Sequence, residues 1–238
     1  MKRSRAKQYV LGKAQYTTRD IQNRVKQIKT DTPYGSLVNC EESIVFLKDL
    51  FSLHPNYEAK TRGQPVSGMR HVKSGKYSCF HFCTEGGIES DFSVPKCLIT
   101  VEQYNMQRWR AALRNSVIPQ ILDYKKERGF GIVQCDLCHV KCCNYDWDDR
   151  NRKSFPRVVA VHVDHDPVGK KFQAIWESFL ETHPDAMQMK LVREPVPYMG
   201  REDHWMFEKD ETLEAWIAYH QEHAKLRFLC QKCNCTLH

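Results

Sequence analysis

Val163-Asp164-His165-Asp166-Pro167 closes a run of β-branched and apolar residues that begins at Val158. A strand ending there delivers a carboxylate and an imidazole to its tip, where a substrate can reach them. Hydrolysis of a phosphodiester needs a base for water and a divalent ion to offset charge on the phosphate. Asp164 offers a hard oxygen to Mg²⁺ or Mn²⁺, and His165 can be the base. Taken alone, the triplet reads as a surface turn with a satisfied histidine. His162 alternates with Val161 and Val163 and reads as a structural histidine. Asp166 reads as a residue that shapes the turn.

The second group of chemistry-bearing residues is sulfur. Cys135-Asp136-Leu137-Cys138 and Cys230-Gln231-Lys232-Cys233 are two CxxC pairs separated by a long insertion. Thiolates suit zinc, and a two-residue gap lets both sulfurs of a pair face one ion. Cys135, Cys138, Cys230 and Cys233 are therefore expected to bind a structural zinc that clips together the ends of a C-terminal domain. The alternatives are buried free thiols or a redox CxxC. Cys142, Cys143 and Cys235 lie close enough to substitute as ligands. Cys40, Cys79, Cys83 and Cys97 are expected to act as small apolar residues in a separate N-terminal core.

The elements that must position these groups follow from periodicity and punctuation. Tyr9–Tyr16 reads as strand, and Ile21, Val25 and Ile28 set a helix over Thr17–Lys29. Asn39 with Glu42 forms a capping-box pattern opening a helix that stops near His54-Pro55. Ser67–His71 and Ser78–Cys83 read as strands, and Glu85-Gly86-Gly87 as a hairpin turn. Thr100 with Gln103 starts a further helix carrying Tyr104, Trp109, Ala112 and Leu113. Pro119 allows a kink or break, and helix resumes to about Arg128 before Gly129 and Gly131. Two amphipathic helices lie within the insertion, one with Phe172, Ile175, Trp176, Phe179 and Leu180, the other with Leu213, Trp216 and Ile217, which Asp210 can cap. Leu226–Leu229 is a short strand. The fold class expected is α+β: a basic arm over 1–8, a small mixed α/β domain over 9–99, and a zinc-stabilised domain with helical insertions over 100–238.

Bulk properties set the outer bounds. The chain has 238 residues, 27% charged and 41% hydrophobic, an ordinary globular composition. No apolar run approaches a membrane span, and no apolar segment follows the basic Met1–Lys7, so neither a transmembrane nor a secreted protein is expected; the location expected is cytoplasmic. A net charge of +7 with 36 Lys and Arg favours a polyanionic partner. Eleven cysteines in such a chain read as metal ligands and thiols rather than disulfides.

Val163-Asp164-His165-Asp166-Pro167, followed by Leu226-Arg227-Phe228-Leu229-Cys230-Gln231-Lys232-Cys233-Asn234, resembles the HNH (ββα-metal) pattern of phage and bacterial nucleases. Ala111, Leu113, Arg114, Gln120, Ile121, Tyr124 and Lys125 resemble the helical lead-in of such enzymes. The likeness covers residues 105–238. It implies a metal-dependent endonuclease cutting double-stranded DNA, with RNA as a further possibility, and a place in the host cytoplasm if the chain is phage-encoded. It also implies that Asp164 binds the catalytic ion, that His165 activates water, and that Asn234, just inside a final helix, is the second ligand. The chain departs from the pattern where an asparagine usually precedes the third cysteine. Lys225 stands there, and His220 or His223 on the preceding helix is left to take over its holding role.

Residues 9–99 resemble the DCL family through Tyr9–Tyr16, Ile21–Ile28, Phe46–Pro55 and Glu85–Leu98. That likeness implies a binding module linked to RNA processing. Lys2, Arg3, Arg5, Lys7, Lys13, Arg19, Arg24 and Lys26 are its expected nucleic-acid contacts, the alternative being a solvated basic face. The rival to a nuclease is therefore a non-catalytic zinc-containing protein that binds nucleic acid or processes RNA.

Overall fold

The computed structural model describes residues 7–74, 77–144, 160–166, 171–195 and 203–236. The chain divides into two compact units, Met1–Asn105 and Met106–His238. Helices and strands occur in both, so the α+β class expected from sequence is the one observed. Among the described residues, no helix is long and apolar enough to cross a membrane.

The first unit opens with a hairpin, β1 (Gln8–Leu11) and β2 (Ala14–Thr17). The single strand expected over Tyr9–Tyr16 is thus broken in its middle. Gly12 makes the break, because its φ of 62° is one that residues with a Cβ rarely adopt. Helix α1 (Thr18–Asp31) starts where Thr17 and Asp20 close a reciprocal capping box. It buries Ile21, Val25 and Ile28 as their spacing predicts. Helix α2 (Glu41–Ser52) differs from expectation at its start. Cys40, not Asn39, is the N-cap residue, and it makes no side-chain capping bond. The apolar stripe prevails over the missing cap, since Phe46, Leu47, Leu50 and Phe51 are all buried.

After the short α3 (Tyr57–Thr61) come β3 (Val66–Ser74), β4 (Tyr77–Thr84) and β5 (Glu89–Phe92), an antiparallel sheet in that order. The expected turn at Glu85–Gly87 joins the last two. Phe51 from α2 is the centre of this core: its ring lies 4.5 Å from that of Phe82, 4.8 Å from Phe92 and 4.9 Å from Tyr57. Such pairs add about 0.5–1.5 kcal/mol each beyond area burial. Helix α4 (Val94–Cys97) closes the unit and buries Cys97. Cys79 and Cys83 are only half-buried and Cys40 is exposed, so the apolar role expected for all four holds fully only for Cys97.

The second unit takes most of α5 (Val101–Ser116), whose start is the expected box between Thr100 and Gln103, with bonds of 3.0 and 3.2 Å. Pro119 sits in the first turn of α6 (Ile118–Glu127), and the break falls at Val117. Then follow β6 (Gly131–Gln134), β7 (Lys141–Asn144), β8 (His162–His165), α7 (Phe172–Thr182), a 3-10 turn at Pro184–Gln188, β9 (Leu191–Pro195), β10 (Asp203–Phe207), α8 (Glu211–His223), β11 (Leu226–Leu229) and α9 (Gln231–Thr236). Asp210 caps α8, accepting from the Leu213 amide at 2.8 Å.

Two cores form. One gathers Trp109, Leu113, Ile175, Phe179, Phe207 and Trp216 from α5, α7, β10 and α8. The other is small and built on cysteine, with Val161, Phe228 and Leu229. The insertion between Pro167 and Lys225 was expected to hold two helices. It also carries the β9–β10 hairpin. Those strands are short and charge-rich, so their alternation is faint.

His54 in the first unit yields a pH prediction. Burial first, then Lys60 and Lys96, lowers its pKa from 6.5 to about 4, while its Nδ1 accepts the Asn56 amide at 3.0 Å. The fold favours the neutral ring. Its contribution to stability is whole above pH 6.5 and is lost as the pH falls from 6.5 towards 4. NMR titration of the full chain should give a His54 midpoint near 4. A midpoint at the ordinary imidazole value would refute this.

Candidate functional site

The four-cysteine cluster is assembled from two chain reversals. Cys135 and Cys138 lie in the turn between β6 and β7, so the first CxxC is a hairpin tip. The Cys135 amide donates to the Val140 carbonyl and the His139 amide to the Cys135 carbonyl, at 3.0 and 2.9 Å. His139 ends the turn with a φ of 58°. Cys230 and Cys233 come from the junction of β11 and α9. Asp136 ties the two reversals together. Its amide donates to the Phe228 carbonyl at 2.8 Å, and its carboxylate accepts the Phe228 amide at 2.6 Å and pairs with Arg128 at 2.7 Å.

The four sulfurs lie within 4.8 Å of one another. The Cys138 and Cys230 sulfurs are 3.7 Å apart. A tetrahedral zinc with bonds of about 2.3 Å requires edges of about 3.8 Å, so the group can hold a zinc ion. Burial opposes ionisation of Cys135, but amides of Cys138, Cys230 and Leu137 outweigh it and pull the thiol down to about 6. Cys233 is pushed up, first by the Cys138 and Cys230 sulfurs beside it. Four crowded thiols resist shedding all their protons without a cation, and a divalent ion relieves that repulsion. Cys142 is buried next to the cluster, and burial followed by the neighbouring sulfurs raises its pKa. Of the sulfurs left open by the sequence, Cys142, Cys143 and Cys235 stand outside the group of four.

The second cluster lies on β8, which pairs antiparallel with β11. His165 faces Leu226, Asp164 faces Arg227, and Val163 faces Phe228. The Asp166 amide donates to the Lys225 carbonyl at 2.7 Å, carrying the ladder one step further. Lys225, where an asparagine was expected, contributes this backbone oxygen. Arg227 sits between two carboxylates, 3.3 Å from Asp164 and 3.7 Å from Asp166. The side chains of Arg227 and Asp164 are 12% and 13% exposed, so the pair is largely desolvated and losing either partner strands a charge. Val158 and Pro167, the expected ends of the Asp-His segment, lie outside the described residues. His162 is exposed, on a register position facing Leu229.

His165 is held by histidine rather than asparagine. Its Nε2 lies 2.9 Å from Nε2 of His220, a fully buried residue on α8. His220 Nδ1 in turn lies 2.5 Å from Oε1 of Gln120 on α6. His223 stacks on Tyr219 and bonds its carbonyl instead, so the choice left open between His220 and His223 falls to His220. Burial, then the Arg114 charge, lowers the His165 pKa to about 4, with Asp164 opposing. Arg114 lies 5.0 Å from the Phe172 ring, which packs 5.2 Å from that of His165. Asn234 is half-exposed in the first turn of α9, its amide donating to the Cys230 carbonyl at 2.9 Å. Helix α9 packs against both β8 and β11.

Gln120, His220 and Arg227 were present in the sequence patterns without definite roles. Gln120 lies 100 residues from His220 in sequence, so no local pattern could pair them.

Residues 26–98 match a family described as a protein of unknown function (DUF3223). No curated protein matches the chain. The solution NMR structure of an uncharacterized protein from Rhodospirillum rubrum is similar at 20% identity and a TM-score of 0.36, over 42% of this chain and 94% of that one. At that score the likeness carries no argument.

The basic residues expected to touch nucleic acid all belong to the first unit. Lys2, Arg3 and Arg5 lie outside the described residues. Lys7, Lys13, Arg19 and Lys26 are exposed, and Lys7 lies over the Tyr9 ring at 5.0 Å. Arg24 donates to Ser43 at 3.2 Å. Lys13 and Arg24 line an open cavity of about 480 Å³ together with Glu41 and Glu42, which offset their charge.

Replacing Cys230 by Ser should abolish tight zinc binding and lower the melting temperature of the protein, because a zinc ion bound there would join two reversals that otherwise share few apolar contacts. Metal analysis of protein purified without chelator, beside thermal melts of both forms, is the check. A metal-free native protein with an unchanged melt in the variant would contradict it.

Proposed function

We propose that the chain is a metal-dependent phosphodiester hydrolase of the HNH (ββα-metal) type, with double-stranded DNA as its substrate. The observation that supports this most is the order β8, β11, α9. Two antiparallel strands are followed by a helix packed on them, with Asp164 and His165 at the end of the first strand and Asn234 on the helix. A protein that only binds nucleic acid has no need of this combination.

In this reading His165 takes the proton from the attacking water. Arg227 pairs with both Asp164 and Asp166 and holds the two carboxylates in place. Arg114, a positive charge beside His165, faces the phosphate. Asp164 and Asn234 offer hard oxygen donors, which suit Mg²⁺ or Mn²⁺. A divalent ion held there would stabilise the charge that builds on the phosphate. The four-cysteine centre, loaded with zinc, stays structural: its ligand sphere is closed and leaves no position for substrate.

Incubating the full chain with supercoiled plasmid or RNA, in Mg²⁺, Mn²⁺ or EDTA, tests this. Plasmid should be nicked or linearised in the presence of the ion alone. His165→Ala should cut at least roughly 100-fold more slowly, the usual contribution of a general base. Asp164→Ala and Asn234→Ala should need more Mg²⁺. Binding of DNA or RNA without cleavage under every condition would favour the non-catalytic reading instead.

A further inference from the structure

We propose that Gln120 and His220 are positioning residues that fix His165 as the Nε2–H tautomer and leave Nδ1 as the atom that accepts the proton from water. The inference deepens the nuclease reading and rests on it for the role of the free nitrogen. The tautomer itself follows from hydrogen-bond direction alone.

The chain of bonds begins at a group that can only accept. The Ile217 carbonyl lies 2.7 Å from Nε2 of Gln120, so the amide nitrogen must face it. That settles which end of the amide faces His220: the oxygen. Gln120 Oε1 can only accept, so His220 Nδ1 carries the proton across the 2.5 Å contact. A neutral imidazole with its proton on Nδ1 has a lone pair on Nε2. That lone pair faces His165 Nε2 at 2.9 Å, and two lone pairs cannot face each other at that distance. His165 Nε2 must therefore donate. In a neutral ring, Nδ1 is then the acceptor, and among the described residues no hydrogen bond engages it.

The surroundings hold this arrangement in place. His220 is fully buried and packs against the Trp216 and Phe172 rings, with centroids 5.6 and 6.0 Å away. A charged His220 would sit in an apolar wall, which disfavours the alternative in which it donates to His165. Phe172 also packs on His165 and limits rotation of that ring. Without the relay, free imidazole places its proton on either nitrogen, and a base with Nδ1 protonated cannot take a proton there.

The experiment combines histidine NMR with cleavage, on the full chain near neutral pH. Long-range proton–nitrogen correlation should show His165 protonated at Nε2 and bare at Nδ1, and His220 the reverse. His220→Leu removes the acceptor and should mix the His165 tautomers and slow cleavage at least about tenfold, in the manner of other bases that lose their orienting partner. Gln120→Met should disturb the His220 tautomer first. His220→Gln returns an acceptor oxygen near the same position and should restore both the Nε2–H signature and most of the rate. Native His165 protonated at Nδ1 would overturn the proposal, as would an unchanged tautomer and rate in His220→Leu. Failure of His220→Gln to restore a signature that His220→Leu has lost would also overturn it. Native protein with the expected tautomers that cuts neither plasmid nor RNA would uphold the relay while overturning the nuclease reading.

Discussion

Convergence of four sulfurs within 4.8 Å is the constraint on which the β6–β7 hairpin and the β8–β11–α9 part of the second unit depend. The first CxxC is the tip of one hairpin and the second spans a strand end and a helix start. Neither reversal has a large apolar core of its own; the cluster around them is mostly cysteine with Val161, Phe228 and Leu229. An ion held by the sulfurs would supply cohesion that side-chain burial alone does not. Asp136 serves the same junction from within the first CxxC, by bonding both backbone groups of Phe228. Anchoring β11 in this way fixes the strand against which β8 is zipped, and with it the register that opposes Asp164 to Arg227.

Charge in this region is organised around burial. Arg227 serves two aspartates, and its own exposure is only 12%. Arg227 and Asp164 are largely desolvated while Asp166 remains about a third exposed, and each charge has a partner of opposite sign. A few ångströms along the strand the pattern reverses. His165 and His220 lie edge to face, backed by Phe172 and Trp216, and burial keeps both rings neutral. An arginine-paired carboxylate and a neutral imidazole thus stand on consecutive residues. The alternation of the strand delivers them to different environments, one lined by arginine and the other by aromatic rings.

The first unit is built on a different economy of interactions. Its core is aromatic, centred on Phe51, Phe82 and Phe92, and needs no metal. Its basic residues are spread among acidic and hydroxyl partners. Shared lining by Lys13, Arg24, Glu41 and Glu42 makes that face mixed in charge rather than a continuous basic stripe. Long-range attraction of a polyanion depends on a net field, and alternating signs cancel within a Debye length.

Local physics made much of this legible in advance. The capping box at Thr100, the stripe of α1, the Asp210 cap, the β11 strand and the zinc-spaced cysteines are all short-range patterns, and each stands where periodicity and spacing place it. The α+β class followed from them. What failed was also local in origin. A single glycine at positive φ turned one expected strand into a hairpin, and an unused capping pattern at Asn39 yielded to the pull of the buried α2 stripe. The β6–β7 and β9–β10 hairpins were missed because their short strands lack the clear apolar character that made Leu226–Leu229 legible. The site divides along the same line. Residue type and spacing pointed to the four cysteines, and resemblance to the HNH pattern singled out the Asp164-His165 pair. Only the tertiary structure could choose His220 over His223, or bring Gln120 to it across 100 residues, because hydrogen-bond direction depends on which donor and acceptor meet in space. Spacing along a chain carries no information about that once the separation exceeds a few helical turns.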